Sequence, residues 1–155
     1  MRSRWAATTA RRALWAMGAV LAGCVNPPDV GPPLRPACSA APANPDHVVR
    51  FQTDIRDAIF LREDLCVRCH TATGKTPIGL AVSGLELSSY ARLRAGGALG
   101  GTNTVVPGDP CASVLIQKLG PAPPFGGRMP LDGPYLTTEE LQTIVDWIAA
   151  GALDD

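Results

Sequence analysis

Apolar side chains recur at helical spacing through the later two-thirds of the chain and rarely alternate as a strand would require. Val48, Phe51, Ile55 and Ile59 fall three or four residues apart, which places them on one face of a helix. Asn44-Pro45-Asp46, just before, supplies a capping side chain and a proline for the first turn. A second, short helix follows Ser88 through "SYARLRA" and stops at Gly96-Gly97. A third opens at Asp109-Pro110, runs through "CASVLIQKL" and ends at Gly120. The last begins at Thr137, where Thr137 and Glu140 fit a capping box. Its inner stripe is Leu141, Ile144, Val145 and Ile148, with Trp147 alongside and Gly151 at the end. About four short helices joined by long Gly/Pro-rich loops predict an all-α domain over residues 47–155. Its apolar core is thin, so something else is expected to fill the centre.

The start of the chain has a different pattern. Four arginines, Arg2, Arg4, Arg11 and Arg12, precede or border an apolar run over residues 13–23. That run is too short to cross a bilayer and suits the apolar region of a signal peptide. It ends in Leu21-Ala22-Gly23-Cys24, which resembles a bacterial lipobox. Cys24 would then be lipidated and become the mature N-terminus; an ordinary signal peptide with an incidental cysteine is the other reading. Residues 25–46 hold seven prolines and few large apolar side chains, the composition of a semi-stiff spacer. The expected organisation is a signal peptide (1–23), a lipidated N-terminus and tether (24–46), and one domain (47–155). A periplasm-facing envelope lipoprotein follows. Asn26, rather than Asp, stands two residues after Cys24, so an enterobacterial inner-membrane retention signal is absent and the membrane is left open.

Charge narrows the partners. The whole chain is formally neutral, with fourteen basic and fourteen acidic residues. Removing residues 1–23 takes away four basic residues and no acidic one, leaving a net charge of about −4. Nucleic-acid binding rests on clustered Lys and Arg, so a nucleic-acid partner is not expected.

The candidate chemistry lies in "DLCVRCHTATG". Cys66 and Cys69, three positions apart, suit two thioether bonds to one haem, and the adjacent His70 suits the proximal iron ligand. The ring Nδ1–H of such a histidine needs an acceptor, for which the Pro77 carbonyl is a nearby candidate. A zinc site would need a fourth ligand, yet the chain has only His47 besides, and no second CxxC. A thioredoxin-like dithiol would need a βαβ context. Met129 in "PPFGGRMPLDG" is the candidate distal ligand: Pro130 favours an extended Met129, and Gly126 and Gly127 allow close approach to a flat ring. The competing readings leave Met129 on the core and give the sixth position to water or His47. Arg128 is either a partner for a haem propionate or a surface charge.

Five cysteines are present. With Cys24 assigned to lipid and Cys66 and Cys69 to haem, Cys38 and Cys111 remain, and in an oxidising compartment two such cysteines read as a disulfide. Two free thiols or an intermolecular bond are the alternatives. Glu63, Asp64, Glu139 and Glu140 read as solvated helix ends, and Gly96-Gly97 and Gly100-Gly101 as structural.

"CVRCH", "GLELSSYARLRAGG", "VVPGDPCASVLIQKL" and "RMPLDGPYLTTEELQTIVDWIAAGA" together resemble the bacterial monohaem cytochrome c domains of the planctomycete type, over most of residues 51–151. The resemblance implies a compact class I-like cytochrome c fold with its first and last helices packed together. It implies one covalent haem c on Cys66 and Cys69, with His70 and Met129 as iron ligands. Cys111 departs from that pattern. The function implied is a membrane-tethered one-electron carrier, not an enzyme, that meets redox proteins of the envelope. The alternatives are a haem-based ligand-binding or sensor module and an electron-transfer or docking subunit of a larger enzyme.

Overall fold

The computed structural model describes residues 42–123 and 125–155. The expected signal segment, Cys24, Cys38 and most of the expected tether fall outside them. Among the described residues there are helices and no strand, so the domain is all-α. In chain order come a π-helix at Phe51–Phe60, α1 at Val67–His70, α2 at Ile78–Ser83, and α3 at Tyr90–Ala95. A 3₁₀ turn at Gly101–Thr104, α4 at Val114–Leu119 and α5 at Thr138–Ala149 follow.

The first helix begins later and is wound wider than its sequence suggests. Its last turn closes through Leu61 N–H to the Arg56 carbonyl, five residues back, at 2.8 Å. Phe51, Ile55, Ile59 and Phe60 are buried, but Val48 is exposed and Val49 buried in its place. The reason is local: Arg50 is extended and the helix starts only at Phe51, so the side chains before it do not follow the helical face. Asn44 caps a turn instead, accepting from Asp46 N–H at 3.1 Å. The amides that open the helix are taken by the far end of the chain. Phe51 N–H donates to Asp155 Oδ1 at 3.1 Å, and Gln52 N–H to the Asp155 carbonyl at 3.3 Å, which satisfies donors the helix itself cannot.

Two helices match their sequence signals closely. In α5 Glu140 N–H donates to Thr137 Oγ1 at 3.1 Å and Thr137 N–H to Glu140 Oε2 at 2.8 Å, completing the capping box. Ile144, Val145, Trp147 and Ile148 are buried along it, and Leu141 packs against the core while partly exposed. Ser89 caps α3 through Arg92 N–H at 3.3 Å, and Gly96 ends it. By contrast α4 starts after Ser113, not at Asp109. Asp109 instead caps the turn through Pro110, accepting from Ala112 N–H at 2.9 Å. The buried Ser113 hydroxyl then donates to the Asp109 carbonyl at 2.9 Å.

Rings join the first helix, α3 and α5. Phe51 lies 5.3 Å from both Tyr90 and Trp147, centroid to centroid. Tyr90 and Trp147 meet edge-on at 6.5 Å. Their polar tips are satisfied by the following tail: Tyr90 O–H donates to the Ala152 carbonyl and Trp147 Nε1–H to the Leu153 carbonyl, each at 2.9 Å. The first and last helices therefore do pack together.

The described part of the expected tether is bonded to α5. Asp146, 3 % exposed, accepts from Asn44 N–H at 2.7 Å, from Gln142 Nε2–H at 2.8 Å, and meets His47 Nδ1 at 2.7 Å. Gln142 also donates to the Pro42 carbonyl at 3.1 Å. Burial pushes the Asp146 carboxyl up, but these bonds outweigh it and hold it below its ordinary value of 3.8. A carboxyl depressed on folding stabilises above its unfolded pKa, and the contribution is lost as pH falls through the folded one. Asp146→Asn is expected to cost about 1–3 kcal/mol at pH 7 and markedly less near pH 3. Urea unfolding at both values checks this; an equal cost at both would deny the carboxylate its role.

Glu63, Asp64 and Glu140 are paired. Arg62 bonds Asp64 at 2.8 Å and also Glu140, and Lys75 bonds Glu63 at 2.9 Å.

Candidate functional site

The CxxCH motif does not end the first helix; it forms its own turn. Cys66 precedes α1, and its carbonyl accepts from Cys69 N–H at 3.2 Å and His70 N–H at 2.9 Å. Both cysteines and the histidine thus belong to one tight turn. Thr71 closes it by donating its hydroxyl to the Val67 carbonyl at 2.8 Å. The chain then doubles back so closely that a Cβ at Gly74 would stand 2.4 Å from the Val67 and Arg68 carbonyl oxygens. Only glycine fits there.

His70 is oriented from a segment fifteen residues on. Its Nδ1 lies 3.2 Å from the Leu85 carbonyl, and its own carbonyl accepts from Leu87 N–H at 2.9 Å. A carbonyl only accepts, so Nδ1 carries the proton and Nε2 keeps the lone pair. The Pro77 carbonyl, the acceptor expected from the sequence, instead receives Ala81 N–H at 3.0 Å as α2 begins. Burial pulls the imidazole below its ordinary pKa, and the Leu85 bond offsets only part of this. The ring is accordingly neutral near pH 7, the form that ligates metals. Gly79 keeps the approach to Nε2 open: a Cβ there would stand 2.7 Å from that nitrogen.

Cys66 and Cys69 are free thiols. Burial pushes the Cys66 thiol up to about 12, so it stays protonated. Cys69 Sγ lies 3.9 Å from Thr76 Oγ1.

Met129 arrives from a distant stretch, on the loop after α4, with its N–H donating to the Lys118 carbonyl at 2.8 Å. The bond to Pro130 is cis. Cys66, Cys69, His70 and Met129 all line one cavity of about 400 Å³, within the usual size of a small-molecule or cofactor pocket. Its inner wall is core: Phe60, Leu65, Leu87, Leu115 and Leu119 are buried. Its outer wall is as apolar, with Ile78, Val82, Leu99, Phe125 and Leu131 all exposed. Exposed apolar residues gathered around one cavity mark a binding site rather than scattered surface.

Other expected residues fall elsewhere. His47 is not among the residues lining this cavity; it is bound to Asp146 beside α5. Arg128 does not line it either: Nε donates to the Leu119 carbonyl at 2.9 Å and the guanidinium lies 4.0 Å over the Tyr135 ring. Among the described residues, Arg68 and Lys118 are the cations that do line it. Leu85, Gly79 and Lys118 carry no sequence signal for these roles, because two act through backbone geometry and the third through a loop whose course only folding sets. Cys111 is disulfide-bonded, and Cys38 lies outside the described residues.

The group that CxxCH implies is haem c, and the residues present fit it on donor chemistry. Two thiols, a neutral imidazole with its free nitrogen unobstructed, and a thioether line a single apolar cavity. No described helix is long and apolar enough to cross a membrane. Compared with known proteins, the chain matches no family model, no curated protein and no solved structure, so the site is read from its own geometry.

Proposed function

We propose that this chain is a membrane-tethered c-type cytochrome that carries single electrons in the cell envelope. One observation carries the reading: Cys66, Cys69 and His70 share a single apolar cavity with Met129, about sixty residues later in sequence. When bound, haem c supplies an iron that accepts and returns one electron. Cys66 and Cys69 would hold the group by thioethers, while His70 Nε2, with its ring oriented by the Leu85 carbonyl, and the Met129 sulfur would be the iron ligands. A thioether raises the potential relative to a second imidazole. Apolar walls would limit the access of water to a group seated there, which favours a stable carrier over a reactive centre. Cys24 carries the lipid, a Cys38–Cys111 disulfide fastens the tether, and redox proteins of the envelope are the partners.

Met129→Ala tests the reading in protein matured with covalent haem. The wild type is expected to show a low-spin spectrum with a weak red band from sulfur–iron ligation, and to bind carbon monoxide poorly. In the variant the band is expected to vanish and carbon monoxide affinity to rise by roughly tenfold or more. An unchanged spectrum would remove Met129 from the iron and favour a ligand-binding module. Absence of covalent haem in the wild type would sink the carrier.

A further inference from the structure

We propose that Lys118 is a positioning residue that clamps the Met129 loop; this rests on the reading of Met129 as an iron ligand. Lys118 holds the loop at three alternate positions. Its Nζ donates to the Phe125 carbonyl at 2.7 Å and the Gly127 carbonyl at 2.5 Å. Its own carbonyl accepts from Met129 N–H at 2.8 Å. The ammonium also lies 5.0 Å from the Phe125 ring centroid, within range of a cation–π contact.

The loop needs such a clamp. Between Gly120 and Pro130 it holds three glycines and four prolines, residues that offer little side-chain grip. Gly126 adopts a φ of 56°, which glycine tolerates and most residues do not. What the loop does present is carbonyl oxygens, and an ammonium with three donors can gather two that point the same way. Hydrogen bonds from a charged donor are the stronger kind. Lys118 also lines the cavity, so its stem sits where loop and site meet. A lysine at the end of α4 thereby converts a loop with many conformations into one that presents a sulfur in a fixed place. The cost of ordering that loop is met by folding, before the ligand is engaged.

The test uses the full, haem-loaded chain with Lys118→Leu, which keeps an apolar stem and adds no iron ligand. Lys118→Gln, whose amide is too short to bridge both carbonyls, accompanies it in case the first folds poorly. Lys75→Leu removes a surface lysine of equal charge as the comparison. Amide hydrogen exchange over residues 120–130 is expected to quicken roughly tenfold in the Lys118 variants and not in Lys75→Leu. The red sulfur–iron band is expected to lose at least about half its intensity, with carbon monoxide affinity rising roughly tenfold. Unchanged loop exchange and an unchanged band overturn the clamp, even if overall stability falls. Faster exchange in a chain without covalent haem upholds the clamp and rejects the haem reading, so the two failures separate.

Discussion

A chain carrying both Cys66→Ala and Cys69→Ala is expected to hold no covalent haem. After denaturation and acid extraction every trace of pigment should leave the polypeptide, whereas the wild type should keep all of it. On the proposed reading the effect is all-or-none, because each thiol would supply one of two bonds and no other described residue lining the cavity is a thiol. Either single alanine variant is expected to keep one link. Burial pushes the Cys66 thiol up to about 12, whereas thiolate chemistry calls for a lowered pKa. That speaks against an exposed redox dithiol. Mass spectrometry of intact protein is the measurement. A double variant with haem still attached would show that these cysteines are not the linkage.

Trp147→Ala is expected to be the most damaging substitution away from the site, at about 3–5 kcal/mol. The side chain is only 1 % exposed, and its ring closes the contact between the first helix and α5 through Phe51. Its removal leaves a cavity and also strips the Leu153 carbonyl of its donor. Against a total stability of roughly 5–15 kcal/mol, such a loss brings the domain close to unfolding. Urea denaturation measures it. A cost under about 1 kcal/mol would mean that neighbouring groups collapse into the space, contrary to the fate expected of a large aromatic hole.

Where sequence carried its own chemistry, the fold could be read from it. The Thr137–Glu140 capping box, the Ser89 cap and the glycine stops at Gly96 and Gly120 are local devices, each complete within a few residues. The motif Cys66-Val67-Arg68-Cys69-His70 and the unusual setting of Met129 pointed to one another across about sixty residues, and both line the same cavity. What escaped depends on distant partners. The delayed start of the first helix follows from Asp155 receiving its opening amides, a contact over a hundred residues away. The Leu85 carbonyl that orients His70 is a backbone atom, which every residue possesses and no side-chain pattern announces. Likewise α2 is only six residues long, too short to be stable without tertiary packing, so its periodicity is weak.

The burial of Trp147 has a practical side. Trp5 and Trp15 precede residue 24, so a chain made from Cys24 onward has Trp147 as its one fluorophore of that kind. Its emission begins in a dry interior and shifts to longer wavelength as water reaches the ring. Leucines and Phe60 of the same core form the inner wall of the cavity, so a coloured group seated there would absorb the excited-state energy of the indole. One dim or bright signal would then report how much of a preparation carries the pigment, and its colour how much is folded.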